Sequence, residues 1–418
     1  MRLRTALKTW LRPVVAPMRA VMAREIGMII DARMANGGSR VPEPVLDQKA
    51  RLPDLVDEKM RTMMTREIGA IIDARMPDGG SREPALDRQT RLLDLVDEKS
   101  HPNADQIWVL LRDLTNAKLN IKFFGYELAR TMAAALPSRT DLVPQHVGLK
   151  SKASTQADLE NDWTAYWISE LKAARIFHRK LWEFAYVLQA VYENGLLRTG
   201  ARGLGFGCGE EPLPSYFARH GVHVTVTDLD PGKASGWIDT SQHTSSLDKV
   251  YQAHLVSREQ FEEHTSLRYV DMNAIPADLI DYDFCWSICA LEHIGSIQKG
   301  LDFIENSLHT LRSGGIAIHT TEFNFLNDEQ TIDDWPTVLF QRRHFTELAE
   351  RLRRQGHHVA PLDFDVGDKP LDKFIDIPPY EWNWTPYQRD TWKSESQHIK
   401  VTIDGFACTC FGIIIRKL

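Results

Sequence analysis

The pattern of apolar and polar positions changes character near residue 200. Before that point apolar residues recur at helical spacing; after it, short β-branched runs alternate with amphipathic stretches, the rhythm of a βα fold. The early part also nearly repeats itself. REIGMIIDARMANGGSRVPEPVLDQKARLPDLVDEK at 24–59 returns as REIGAIIDARMPDGGSREPALDRQTRLLDLVDEK at 66–99, two residues shorter. Ile26, Ile29 and Ile30, and Ile68, Ile71 and Ile72 in the second copy, form stripes that need an apolar partner. The turns Asn36-Gly37-Gly38 and Asp78-Gly79-Gly80 stop these helices. Two copies are fewer than the roughly three a free-standing solenoid needs, so the repeat reads as an assembly or docking module that could build a homo-oligomer. Further on, Ala157 to Tyr192 holds no Gly or Pro and predicts one long helix ended by Asn194-Gly195. Its Trp163, Tyr166, Trp167 and Trp182 suit a core better than a pocket, which stays the alternative.

From residue 201 the reading ARGLGFGCGEEPLPSYFARHGVHVTVTDLD is strand, glycine turn, helix, strand and acid, half of a nucleotide-binding βαβ unit. Glycines at Gly203, Gly205, Gly207 and Gly209 allow close approach of a ligand to the backbone. Asp228 lies where a carboxylate can accept from ribose hydroxyls. No frame supplies G-x-G-x-x-G, because the last position falls on Glu210 or Pro212. Glu210 and Glu211 would also repel a pyrophosphate at the helix N-terminus, which argues against a nicotinamide-dependent oxidoreductase.

The pattern continues with a helix near Ser257–Glu263, a strand Leu267–Met272 containing Asp271, and a buried-looking strand Tyr282–Ala290 running into Leu291-Glu292-His293-Ile294. A helix over Leu301–Leu311, an Arg312-Ser313-Gly314-Gly315 turn and a strand Ile316–Thr320 follow. Past Asn324 come a helix His344–Gln355, a strand within Val359–Phe364, an aromatic insertion around Tyr380–Tyr387, and two β-rich terminal runs.

Gly205-Phe206-Gly207-Cys208-Gly209, Asp228, Asp271, the D-x-x-x-S-x-x-x-L-E-H-I stretch at 283–294 and the L-R-x-G-G turn together resemble class I S-adenosylmethionine (SAM)-dependent methyltransferases. The resemblance covers about 197–418 and implies an α/β fold: a doubly wound, mostly parallel, seven-stranded Rossmann-like sheet with a reversed last strand. It implies SAM on Gly203, Gly205, Gly207, Gly209, Asp228, Asp271, Met272 and Ser287. This chain has Gly203 where the family commonly has an acid for the methionine ammonium, and Glu210 is the substitute on offer. For methyl transfer to a hydroxyl, His293 is the first candidate base, then His319 or Glu322. E-H-I also occurs in this family as a simple helix anchor. Tyr380, Trp382, Trp384 and Trp392 could stack on a sugar, or equally cap the sheet as core. The tail is similar to methyltransferases of bacterial glycan biosynthesis, which implies O-methylation of a hydroxylated small molecule or carbohydrate. An inactive, methyltransferase-like scaffold working through the repeat is the alternative.

Composition adds boundaries. The 418 residues are too many for one average domain, and 43% apolar and 26% charged residues suit a globular core. A net charge of −7 argues against nucleic acid as a partner. Five scattered cysteines without C-x-x-C pairs point to a reducing, cytoplasmic setting, and no compact His/Asp/Glu cluster suggests a metal. Residues 1–23 form a basic, amphipathic arm that could touch a protein or lie on the inner membrane surface. The expected division is this arm, the repeat at 24–100, a helical region at 101–196 and the methyltransferase-like domain at 197–418.

Overall fold

The computed structural model describes residues 104–139, 141–234, 243–380, 384–392 and 396–418. The basic arm, the repeat and Trp382 lie outside the described residues. Asp97–Leu418 form one compact unit. Its elements begin with α1 (Ala104–Ala134), β1 (Ser151–Ala153), α2 (Gln156–Glu160), α3 (Asp162–Glu170) and α4 (Arg179–Glu193). The βα series follows as β2 (Arg202–Phe206), α5 (Leu213–Arg219), β3 (His223–Asp228), α6 (Arg258–His264), β4 (Thr265–Tyr269), β5 (Tyr282–Ile288), α7 (Ile297–Ser307) and β6 (Leu311–Asn324). The tail contributes α8 (Arg342–Arg354), β7 (His358–Val359), β8 (Leu362–Asp363), α9 (Pro370–Lys373), β9 (Ile375–Asp376), α10 (Pro386–Thr391), β10 (Lys400–Ile403) and β11 (Phe406–Arg416).

The sheet runs β4-β3-β2-β5-β6-β11-β1-β8. β2 pairs in parallel with β3 on one side and β5 on the other, so the strand order reverses at the glycine strand. β11 is antiparallel to β6 along nine registered pairs, which supplies the reversed last strand that the resemblance implied. Its outer edge is shared by β7, β10 and β1. The last of these was not expected, because residues 101–198 read as helical.

The long helix expected from Ala157 to Tyr192 is three helices. Asn161 breaks it by capping α3, its side-chain oxygen accepting from Trp163 N at 3.3 Å. Lys172, at φ 51°, then takes the chain into a left-handed turn, and helix resumes only at Arg179. The lack of Gly and Pro was a weak guarantee, since Asn caps and one left-handed residue do the same work. The division at 196/197 also falls away. Trp182 and Tyr186 of α4 stack at 4.8 Å and belong to the same core as Val224, Phe284 and Trp286. Tyr186 lies over Gly412 of β11, where any Cβ would come within 2.3 Å of its ring.

Two glycines of β2 perform a similar service. Gly203 and Gly205 register against Phe284 and Trp286 of β5. A Cβ would approach the Phe284 ring to 2.6 Å at Gly203 and the Trp286 ring to 2.5 Å at Gly205. The bare strand is thus a shelf for two aromatics, which Phe217 of α5 covers with ring centroids 5.1 and 5.2 Å away.

Two tryptophans at the aromatic insertion are core. Trp384 and Trp392 are 5% and 1% exposed, 4.9 Å apart, and each 6.2 Å from the ring of Tyr126 in α1. Tyr380 donates to Thr402 O. Beside them the buried Lys122 of α1 pairs with Asp376 at 2.5 Å, and Asp376 also receives Tyr126 at 2.8 Å and His398 at 2.7 Å. None of these aromatics is presented as a stacking platform.

Filling the shelf should be harmful. Gly205→Ala is expected to destabilise the protein by about 1–3 kcal/mol through forced displacement of Trp286, measured as a shift in urea midpoint. A neutral result would mean that Trp286 does not rest on β2.

Candidate functional site

The carboxyl ends of β2, β3, β5 and β6 point the same way, and the loops leaving them meet there. Gly207 and Gly209 turn left-handed, with φ of 58° and 54°. A Cβ on Gly207 would come 2.8 Å from the Ala290 Cβ and 3.5 Å from the Met272 sulfur, so the loops after β4 and β5 close on this turn. Asp228 ends β3 beneath it. Its carboxylate accepts from Gly209 N at 3.1 Å, Thr244 N at 2.9 Å and Leu229 N at 2.8 Å. A carboxylate offers about four acceptor directions, so Asp228 shapes the turn and retains capacity for another donor. Asp271 is half-buried at the neighbouring loop, and accepts from Asn273 N at 2.8 Å.

Several expected ligands are placed elsewhere. Gly203 and Gly205 make room for aromatics, as described above. Glu210 points outward to Lys249 at 3.2 Å and does not replace the missing acid. Ser287 faces the opposite side of the sheet, where its hydroxyl meets His319 Nδ1 at 2.8 Å. His319 Nε2 meets Ser307 of α7 at 3.0 Å, and burial pushes this histidine down to about 3. β6 runs on to Asn324 instead of ending at Thr320, so His319 sits mid-strand with no opening beside it. It is a structural, neutral histidine and is withdrawn as a base.

His293 does stand beyond β5. Its Nδ1 lies 2.9 Å from Pro336 O and 3.2 Å from Thr337 Oγ1. Burial lowers it to about 4, so it is neutral near pH 7. The hydrogen bond to Pro336 requires the proton on Nδ1 and leaves Nε2 as the acceptor.

The structure gathers a second set of groups, of which the sequence reading named only Glu322 as a catalytic candidate. The first turn of α4 presents Arg179, Lys180 and Glu183 over the ends of β5, β6 and β11. Its cap is His178, whose Nδ1 accepts from Lys180 N at 3.1 Å. Arg179 pairs with Glu322, and Lys180 stands 3.6 Å from Glu183 Oε1. Burial would raise Glu183, but Lys180 and Arg179 outweigh it and hold the carboxylate below its usual range. Glu183 Oε2 accepts from Thr320 Oγ1 at 2.5 Å and from the Cys289 thiol at 2.9 Å. Cys289 holds φ 45°, a strained backbone of the kind that collects at functional sites, and lies 3.8 Å from Cys410 Sγ. Cys410 is buried in the core and also borders this cluster.

Two further carboxyls complete it. Glu292 is fully buried, and its Oε2 accepts from Thr321 at 2.9 Å. Burial, then the neighbouring Glu322, push it up to about 8. Burial also raises Glu211 to about 8, against the hydrogen bond from Trp286 Nε1 at 2.6 Å and the attraction of Lys180. Three carboxylate oxygens in this cluster have no hydrogen-bond partner: Glu183 Oε1, Glu292 Oε1 and Glu322 Oε2. The R-K-x-x-E spacing at 179–183 was a local signal for this face of α4. Nothing local could have joined it to residues after β5 and on β11.

No family model matches the chain, and no curated protein does. Solved structures do. A SAM-dependent methyltransferase from Aquifex aeolicus is 13% identical, covering 55% of this chain and 89% of that one with a TM-score of 0.30. Phosphoethanolamine N-methyltransferase 2 of Haemonchus contortus, with SAM bound, is 15% identical over 55% of this chain and 51% of that one, with a TM-score of 0.32. The [4+2]-cyclase SpnF is 14% identical over 56% and 82%, with a TM-score of 0.34. The placement of the site above comes from this chain's own strands and side chains.

The titrating carboxyls predict a pH response. Glu211 and Glu292 bind protons more tightly folded than unfolded, so their contribution to stability is complete below about pH 4.5 and is lost as pH rises through about 8. His293 and His319 act in the opposite sense, but their effect is over by about pH 6.5. The thermal midpoint should therefore fall between about pH 6.5 and 8, and Glu292→Gln should flatten that decline. An unchanged slope in Glu292→Gln would remove Glu292 as its source.

Proposed function

We propose that this unit is a SAM-dependent methyltransferase whose acceptor sits beyond the carboxyl ends of β5 and β6. The observation that carries this reading is the left-handed Gly207–Gly209 turn, fastened by Asp228 and closed by Ala290 and Met272, at the point where the strand order reverses. SAM would supply an electrophilic methyl group on a sulfonium. Asp228 would take the ribose hydroxyls in place of, or beside, the Thr244 amide. With Gly203 occupied by packing, the methionine ammonium would fall to Glu183 and Glu211, and its carboxylate to Lys180. The open oxygen of Glu183 fits that role.

For the acceptor side, positioning is the main contribution, with the proton removed by a nearby base. Glu292, raised toward neutral pH, is a better-matched base than His293. O-methylation of a carbohydrate loses its aromatic argument, because Trp384 and Trp392 lie in the core. A hydroxylated small molecule stays compatible with Glu292 as base. The inactive-scaffold reading rested on Gly203, which has a packing reason of its own. The repeat and the basic arm keep their reading as docking segments.

Calorimetric titration of the full chain with SAM tests the proposal. Asp228→Ala should weaken binding by about 1.5–3 kcal/mol, and Glu210→Ala should leave it unchanged. Binding of NAD(H) in preference to SAM would refute it.

A further inference from the structure

We propose that the methyl acceptor is an amine, held as its ammonium between Glu292 and Glu322; this rests on the methyltransferase reading. The two carboxylates are 0% and 3% exposed, and each keeps one oxygen without a hydrogen-bond donor. Ligand atoms of Cys289, Glu292 and Glu322 all lie within 4.8 Å of one another, so the carboxylates aim into one small space. Arg179 satisfies one oxygen of Glu322, and Thr321 satisfies one oxygen of Glu292. The open oxygen of Glu292 lies 3.9 Å from His293 Nε2, so the imidazole borders the same space.

Donor count favours an amine over an alcohol. A hydroxyl brings one O–H and no charge, and would leave Glu292 protonated beside Glu322. An alkylammonium brings up to three N–H donors and the charge that lets both carboxylates stay ionised. A divalent metal is the poorer occupant, because the neighbouring thiol of Cys289 donates to Glu183 and Arg179 already borders the space. In the reaction, the ammonium gives one proton to Glu292. The freed nitrogen lone pair forms the new N–CH3 bond as the S–CH3 bond breaks, and that bond's electron pair stays on sulfur.

The test uses the full chain saturated with S-adenosylhomocysteine and methylammonium chloride as the probe. Methylammonium should raise the thermal midpoint by about 2–5 °C beyond equal sodium chloride, whereas methanol should not. Glu292→Gln should abolish the difference. Glu322→Gln, the second variant should the first fail to fold, should do the same. Turnover is then compared on matched pairs, benzylamine against benzyl alcohol and glucosamine against glucose. The amine proposal is overturned by equal responses to methylammonium and sodium, by an undiminished response in both variants, or by turnover on the hydroxyl members alone. Cobalt(II) binding with a thiolate charge-transfer band would overturn it in favour of a metal. Failure of S-adenosylhomocysteine to bind at all would instead sink the methyltransferase reading beneath it.

Discussion

Charge buried at the end of a sheet must be matched where it is buried, and much of this unit is arranged around that requirement. One turn of α4 carries Arg179, Lys180 and the fully buried Glu183 to the end of the sheet. Arg179 is answered by Glu322 on β6, Glu183 by Thr320 on the same strand and by Cys289 beyond β5, and Lys180 by Glu183 within the helix. Removing one partner from such a set leaves the other stranded, which typically costs about 3–5 kcal/mol. α4 therefore has little freedom to move, and the gap over Gly412 that admits Tyr186 is what lets it come so close.

The βα rhythm, the glycine turn, Asp228 and the terminal hairpin were legible in the sequence because each is a local pattern. The break at Asn161 was legible in principle, since Asn is a capping residue. The error at His319 and Ser287 was one of parity. Along β6, Ile316 and Ile318 pack on the α4 side and Ala317 on the α7 side, so His319 falls with Ala317. Ser287 falls with Cys285 in the same way. Counting alternate residues from the buried isoleucines would have moved both away from the ligand face. The acid cluster was not legible as a cluster, because Glu183 lies more than a hundred positions from Cys289 and Thr320 and no spacing rule joins them.

Gly203 shows how a missing motif residue can mislead. Read alone, a glycine in an acidic position suggests lost function. In the fold it is the floor under Phe284, and buried acids stand on neighbouring elements, Glu211 after the glycine turn and Glu183 on α4.

The Lys122–Asp376 pair has a consequence for dissecting the protein. Asp376 lies on a short strand after α9, more than two hundred residues from Lys122, and it is fully buried. A shortened chain starting at the glycine strand, or even at β1, would keep this anion but lose the cation and the Tyr126 hydroxyl that face it. It would also uncover Trp384 and Trp392. The smallest piece able to stand alone thus begins ahead of Leu119, well before the first βα motif, with α1 serving as the outer wall of a domain whose recognisable signature starts much later.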